Sequence, residues 1–176
     1  SGANEVAAMA SKVTGFKNRP INYLSNVTLD DLYLPSDDSW LSWRRTLDGH
    51  GFSPLSSINR STVKNLKLVW SLAMEDGSNQ GTPLIHQGIM FVTHPNNSIQ
   101  AVEAATGNVL WNYSYEFPSY ARVLGGPTRN IAIYQDKIFL STYDAALVAI
   151  DMRSGKQVWR TVKANYKDAY THSSGP

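Results

Sequence analysis

Gly88-Ile89-Met90-Phe91-Val92-Thr93-His94-Pro95-Asn96-Asn97-Ser98-Ile99-Gln100-Ala101-Val102-Glu103-Ala104-Ala105-Thr106-Gly107-Asn108-Val109-Leu110-Trp111 can be laid on Asp136-Lys137-Ile138-Phe139-Leu140-Ser141-Thr142-Tyr143-Asp144-Ala145-Ala146-Leu147-Val148-Ala149-Ile150-Asp151-Met152-Arg153-Ser154-Gly155-Lys156-Gln157-Val158-Trp159 without a gap, at a constant offset of 48. Phe91 falls on Phe139, Ala101 on Ala149, Gly107 on Gly155 and Trp111 on Trp159. Conservative pairs fill much of the rest, among them Val92 with Leu140, Thr93 with Ser141, Ile99 with Leu147, Glu103 with Asp151 and Thr106 with Ser154. The shared unit is a strand, a turn, an Ala-apolar-acid segment, a Thr/Ser-Gly turn, and a strand ending in Trp. Trp70, closing Asn65-Leu66-Lys67-Leu68-Val69-Trp70, reads as the last strand of an earlier, incomplete copy.

A repeat of about 40–50 residues carrying four short strands is the pattern of a β-propeller blade. One twisted four-stranded sheet cannot bury both of its faces alone, so such units stack around an axis. The expected fold is therefore all-β, a β-propeller, with about two blades and the start of a third in this chain. Trp111 and Trp159 are expected between neighbouring blades, each beside a Thr/Ser-Gly turn. Two similar hairpins in a sandwich would use the same strands but would not explain the fixed spacing.

The rest of the chain agrees with this reading. From Leu66 the apolar period is two, over Leu66–Leu72, Thr82–Ile85, Ile89–Thr93, Ile99–Glu103, Val109–Tyr113, Asn130–Tyr134, Lys137–Thr142, Leu147–Asp151 and Gln157–Val162. Residues 1–56 are irregular, broken by Pro20, Pro35 and Pro54, and form a lead-in; residues 57–176 form the partial propeller. Short helical pieces are predicted at Ser25–Tyr33, capped by Thr28, and at Asn59–Leu66, capped by Asn59 or Ser61. A propeller needs four to eight blades, so the chain is expected to be the N-terminal part of something larger.

Composition narrows the function classes. With 42% hydrophobic and 17% charged residues, the 176-residue chain is not globally disordered. A net charge of +2 is too small for a nucleic-acid surface, and none is expected. The absence of cysteine excludes a disulfide, a thiolate nucleophile and a Cys-based metal site. No apolar run approaches the roughly 18 residues of a membrane span. The N-terminus has no secretory pattern, so the protein is either cytoplasmic or has already lost its signal. There is no Gly-x-Ser-x-Gly elbow, phosphate-binding glycine loop or paired-His metal motif. His50, His86, His94 and His172 are scattered and read as structural or surface residues. The Asn-x-Ser/Thr matches at Asn26, Asn59, Asn96 and Asn112 are of the number chance provides.

Four stretches, in order, resemble the quinoprotein alcohol dehydrogenases of the methanol and ethanol dehydrogenase type, which use pyrroloquinoline quinone (PQQ). They are Trp40-Leu41-Ser42-Trp43-Arg44-Arg45 with Phe52-Ser53-Pro54-Leu55; Ile58-Asn59 with Val63, Leu66 and Trp70; Gly77-Ser78-Asn79-Gln80-Gly81-Thr82-Pro83-Leu84 with Gly88-Ile89-Met90-Phe91-Val92; and the two Ala-x-acid…Gly…Trp repeats. The resemblance covers about residue 40 to the C-terminus and leaves residues 1–39 unmatched.

It implies an eight-bladed propeller with the quinone on its axis, oxidising a primary or other alcohol and passing electrons to a c-type cytochrome in the periplasm. Carried over residue by residue, Gln80 stands where the family usually has a glutamate that contacts the quinone. Arg129 matches the arginine that binds the quinone's oxygens and carboxylate, a role suited to a permanently charged five-donor fork. Ser173, three residues before a proline, matches a hydroxyl that donates to the cofactor. Gly125 and Gly126 replace, with one residue fewer, the adjacent cysteine pair of many members; they permit close backbone approach but no disulfide. The family's catalytic base, stacking tryptophan and Ca²⁺ or lanthanide ligands resemble positions in later blades, so no catalytic or metal residue is assigned here. A homodimer is compatible with the family. The alternative function is a non-catalytic propeller scaffold with the same blade and no cofactor.

Overall fold

The computed structural model describes residues 16–118, 126–172 and 174–176. Among them eight strands form two four-stranded antiparallel sheets, each in simple sequential order. The first blade is β1 (Leu84–His86), β2 (Ile89–His94), β3 (Ser98–Glu103) and β4 (Val109–Ser114). The second is β5 (Ala132–Tyr134), β6 (Lys137–Ser141), β7 (Ala146–Asp151) and β8 (Gln157–Val162).

The repeat read from the sequence is reproduced pair by pair. Phe91 faces Ala101 and Ala101 faces Trp111, while Phe139 faces Ala149 and Ala149 faces Trp159. A bulge follows the alanine in both blades, at Ala101/Val102 and at Ala149/Ile150. The Phe and Trp rings lie 5.8 Å apart in the first blade and 5.9 Å in the second. Alanine is required between them because each of these rings occupies the space that a larger cross-strand side chain would need. The acid of each unit organises the following turn through its carboxylate, which accepts from the Thr106 hydroxyl at Glu103 and from the Ser154 hydroxyl at Asp151, while the Gly107 and Gly155 N–H groups donate to the backbone carbonyls of the same acids at 2.9 Å.

Blade-to-blade packing is set by the tryptophans. Trp70 and Trp111 each lie beside a Thr/Ser-Gly turn, and in both cases it is the turn of the following unit. Trp111 is fully buried, and its Nε1–H donates to Met152 O at 3.1 Å. A Cβ on Gly155 would lie 2.7 Å from that indole. Trp70 repeats the arrangement on the first blade, donating to Ala104 O at 2.9 Å and packing on Gly107. Both glycines have positive φ, +77° and +70°, which L side chains adopt at a cost. Among the described residues no further blade covers Trp159, which is 37% exposed, so the expected burial holds for Trp111 and not for Trp159. Every residue of β8 is exposed for the same reason.

The predicted strand over Leu66–Leu72 is not formed, since no partner strand lies beside it; Leu68 and Val69 are 85% and 80% exposed. The helical pieces are shorter than predicted. Helix α1 covers Leu29–Tyr33, with Thr28 as N-cap in a reciprocal bond with Asp31. The second piece is one 3-10 turn at Val63–Asn65 whose N-cap is Thr62, without a side-chain cap, rather than Asn59 or Ser61; Asn59 Oδ1 instead accepts from the backbone of Ser61 and Thr62 in the preceding turn.

The core is one apolar cluster shared by both blades and by the lead-in, including Phe91, Ile99, Trp111, Ile138, Leu140, Val148, Ile150, Ile21, Leu24 and Val27. The lead-in is tied down by backbone bridges. Trp40 pairs with Ile85 of β1, Val27 pairs with Gln135, and the Arg153 guanidinium donates to Leu24 O at 2.7 Å.

Candidate functional site

Sequential blade order puts β1 and β5 at the same edge of their respective sheets, the inner edge on the propeller reading, and the segments that lead into them approach that edge. Gln80 lies just before β1 and Arg129 just before β5. The Arg129 Nε–H donates to Gln80 Oε1 at 3.2 Å, across 49 residues of sequence. Gln80 Nε2 donates onward to Ser78 Oγ at 3.1 Å. Gln80 adds no charge, so the pair carries the full positive charge of the guanidinium.

Gly81 brings the two segments together. A Cβ there would sit 1.8 Å from Thr93 Oγ1 and 3.2 Å from both Thr128 O and Arg129 O. Only a glycine allows β1's approach segment to lie this close to the carbonyls of Thr128 and Arg129. On the other side, Gly175 approaches Asn130, where a Cβ would fall 2.6 Å from Asn130 Cβ. The segment after β8 thus reaches the residue next to Arg129.

Gly126 is held through its carbonyl, which accepts from the Tyr143 hydroxyl. Gly125 and Ser173 fall outside the described residues. Of the five residues expected at the site, the structure therefore brings Gln80 and Arg129 into contact and places Gly126 three residues before Arg129. The reading of the sequence missed Gly81, Asn97, Thr128 and Tyr143, which surround them. Thr128 and Asn97 are buried, and the Asn97 side chain reaches both Thr128 and the Tyr143 backbone. Burial pushes the Tyr143 phenol above its ordinary pKa, against the pull of the Thr128 hydroxyl and the Arg129 charge.

Two cavities flank the pair. One of about 400 Å³ runs along the inner edge of β5, between Leu41, Trp43, Leu47, Asn130, Ile133 and Gly175. One of about 270 Å³ lies between the first blade and the Trp70–Gly81 segment. The first is walled on one side by Leu41, Ser42, Trp43 and Arg44 of the stretch that carries part of the sequence resemblance. The neighbouring Arg45 is buried, donating from Nη2 to Pro35 O at 3.1 Å.

Two histidines serve structure. His94 is buried, accepting from Glu75 N at Nδ1 and bonded through Nε2 to Gln100 Oε1 at 2.8 Å; His86 Nε2 bonds to Ser25 O at 2.9 Å. A polar network lies outward of the site. Asp144 is fully buried and accepts from Arg160 Nη2 and the Tyr115 hydroxyl, each at 2.8 Å, and from Thr142. Burial would raise the Asp144 pKa, but these three hydrogen bonds and the Arg160 charge outweigh it and hold the carboxyl below its usual range. Among the described residues no group of three His, Asp or Glu side chains could hold a metal ion, and no helix is long and apolar enough to cross a membrane.

Tryptophan-docked, four-stranded antiparallel blades in sequential order define a β-propeller, of which this chain supplies two blades without a closed ring. The profile of the PQQ family described as glucose/ethanol/alcohol dehydrogenase, β-propeller domain, matches residues 40–164, and the chain belongs to that family. The dehydrogenase subunit of the quinone-type alcohol dehydrogenase of Gluconacetobacter polyoxogenes is 38% identical over 125 residues, 69% of this chain and 17% of that protein. The 1-butanol dehydrogenase (cytochrome c) of Thauera butanivorans is 31% identical over 158 residues, 87% of this chain and 23% of that protein. Among solved structures, the quinohemoprotein alcohol dehydrogenase ADHIIG of Pseudomonas putida HK5 superposes with a TM-score of 0.75 at 28% identity, covering 87% of this chain and 23% of that one. The chain spans about a fifth of the length of the relatives it matches.

Proposed function

We propose that this chain is the N-terminal part of a periplasmic, PQQ-dependent alcohol dehydrogenase and forms one side of its quinone site. The observation that carries the reading is the Arg129–Gln80 contact, which joins two residues 49 apart that the family resemblance assigns to the same cofactor. The donor set fits that group: a planar cation, oriented by a neutral amide, suits the carboxylates and carbonyl oxygens of an anionic quinone. Gly126 and Gly81 leave backbone rather than side chains beside it. Gly125 and Ser173 complete the proposed contacts.

When bound, the quinone supplies the two-electron acceptor for alcohol oxidation. The residues of this chain bind and orient it. The base, the stacking tryptophan and the Ca²⁺ or lanthanide ligands belong, on this reading, to later blades, as does the alcohol pocket. Electrons would leave to a c-type cytochrome, a reading supported by the acceptor named for the Thauera relative. The proposed division is an irregular lead-in with short helices over residues 1–56 and a partial propeller over residues 57–176.

The test is quinone titration of the full-length apoprotein. Arg129→Ala removes a charge-assisted contact of about 1.5–3 kcal/mol, so affinity should fall at least about tenfold. If the parent binds no quinone, the chain belongs to a cofactor-free propeller scaffold instead; if Arg129→Ala binds as tightly as the parent, Arg129 is not a quinone contact and this reading of the site fails.

A further inference from the structure

We propose that Asn97 is a positioning residue for Arg129, acting from the β2–β3 turn of the first blade through the Thr128 hydroxyl. The proposal rests on the reading that Arg129 binds the quinone, and it concerns how the guanidinium is held in place.

Asn97 is completely buried, and its polar groups are all engaged at the junction of the two blades. Its backbone N–H donates to Thr128 Oγ1 at 3.0 Å, and its Nδ2 donates to the same oxygen at 3.3 Å and to Ser141 O at 3.5 Å. Its Oδ1 accepts from the Tyr143 N–H at 2.9 Å. The Tyr143 hydroxyl in turn donates to Gly126 O. Residues 126–129 are therefore gripped at Gly126 from the second blade and at Thr128 from the first, with Pro127 between the two points fixing its own φ. Gly81 closes the remaining side against Thr128 O and Arg129 O. Three independent contacts thus fix the backbone from which the Arg129 side chain extends.

The comparison between repeats separates this role from turn formation. Asn97 and Ala145 are equivalent at the offset of 48, and both are left-handed, with φ of 56° and 58°. Alanine suffices for the turn in the second blade, although it lacks the side-chain chemistry that favours that conformation. The amide at position 97 is used instead for the bonds to Thr128 and Tyr143, which exist only at the junction that carries Arg129.

The experiment is a double-mutant cycle on the full-length apoprotein, titrated with PQQ in the presence of Ca²⁺ and followed by tryptophan fluorescence quenching, with thermal unfolding recorded in parallel. Asn97→Ala should weaken quinone binding about fivefold or more in the parent and by less than about twofold in the Arg129→Ala background, the non-additivity expected of residues acting through one another. Its effect on thermal unfolding should be the same in both backgrounds. An Asn97→Ala loss that is absent, or equal in the two backgrounds, overturns the proposal and leaves Asn97 as a structural bridge. If Arg129→Ala itself leaves affinity unchanged, the quinone reading of the site fails, whatever Asn97 does. Should Asn97→Ala not fold, Thr128→Val and Thr128→Ser decide the matter. Serine should retain the parent affinity, and valine, similar in shape but without the hydroxyl, should lose it about fivefold. Equal affinities for the two would overturn the proposal.

Discussion

Gly155→Ala tests the docking of one blade's tryptophan on the next blade's turn, and Gly88→Ala is its control. Both glycines are left-handed, at φ +70° and +79°, so an alanine at either place carries the left-handed penalty of about 1–2 kcal/mol. They differ in what the added methyl meets. At Gly88 nothing lies within 4 Å, whereas at Gly155 the new carbon would be 2.7 Å from Cδ2 and Cε3 of Trp111 and 3.0 Å from Cγ. The indole cannot retreat cheaply, because it is fully buried and anchored by its bond to Met152 O. Overpacking of this kind adds about 1–3 kcal/mol. The expected losses are therefore about 1–2 kcal/mol for Gly88→Ala and about 2–5 kcal/mol for Gly155→Ala. Gly107→Ala should fall between them, since it meets Trp70 at the same 2.7 Å but that ring is only partly buried. Equilibrium urea unfolding of the 176-residue chain gives the ranking, provided the denaturant slopes agree among variants. Gly155→Ala and Gly88→Ala within about 0.5 kcal/mol of each other would show that the Trp-to-turn contact does not set the spacing of the blades.

The ion pair between buried Asp144 and partly exposed Arg160 should respond both to mutation and to acid. Asp144→Asn leaves Arg160 without its carboxylate and should cost about 2–4 kcal/mol, read from the shift in urea midpoint; no loss would mean the pair is dispensable. Because the folded Asp144 carboxyl is held below its unfolded value, its contribution is fully present above about pH 4 and is lost as the pH falls through the lower folded value. The parent should lose stability over that acid range more steeply than Asp144→Asn, and parallel acid profiles would count against the assignment. Trp111→Ala should cost about 3–5 kcal/mol, while Trp159→Ala in the 176-residue chain should cost at least about 2 kcal/mol less and reduce dye binding to exposed apolar surface. In the full-length protein the two should cost about the same if a further blade covers Trp159, and a persistently small loss there would mean that none does.

The fold was legible in the sequence because the identical residues are the ones that build each blade. Phe, Ala, Gly and Trp recur at the offset of 48, and the paired strands, the bulge after alanine and the ring contact recur with them. Which turn a tryptophan meets was not legible, since periodicity within a chain does not say whether a contact closes within a unit or reaches the next. Leu66–Leu72 shows the complementary limit. Its alternation marks a strand, yet alternation needs a partner to become one, and among the described residues none stands beside it. Gln80 and Arg129 could be singled out by their resemblance to the family's residues, but their contact could not. It depends on Gly81, whose missing side chain is what lets the two approach segments meet.

The site is built where the repeats disagree. Asn97 is matched by Ala145, and Arg160 of the ion pair with Asp144 by Asn112. Positions held in common are tied to burial and to turn geometry, and every blade must satisfy those in the same way. A position that differs between equivalent turns is free of that requirement and can be used for a contact that only one junction needs. The polar bonds from Asn97 and Tyr143 meet around Thr128 and Gly126, and the Asp144 network lies immediately outside them, beginning at the residue after Tyr143. A propeller repeats its packing around an axis while its asymmetric ligand does not. On the proposed reading, the residues that break the repeat at the junction of these two blades are the ones free to hold such a ligand.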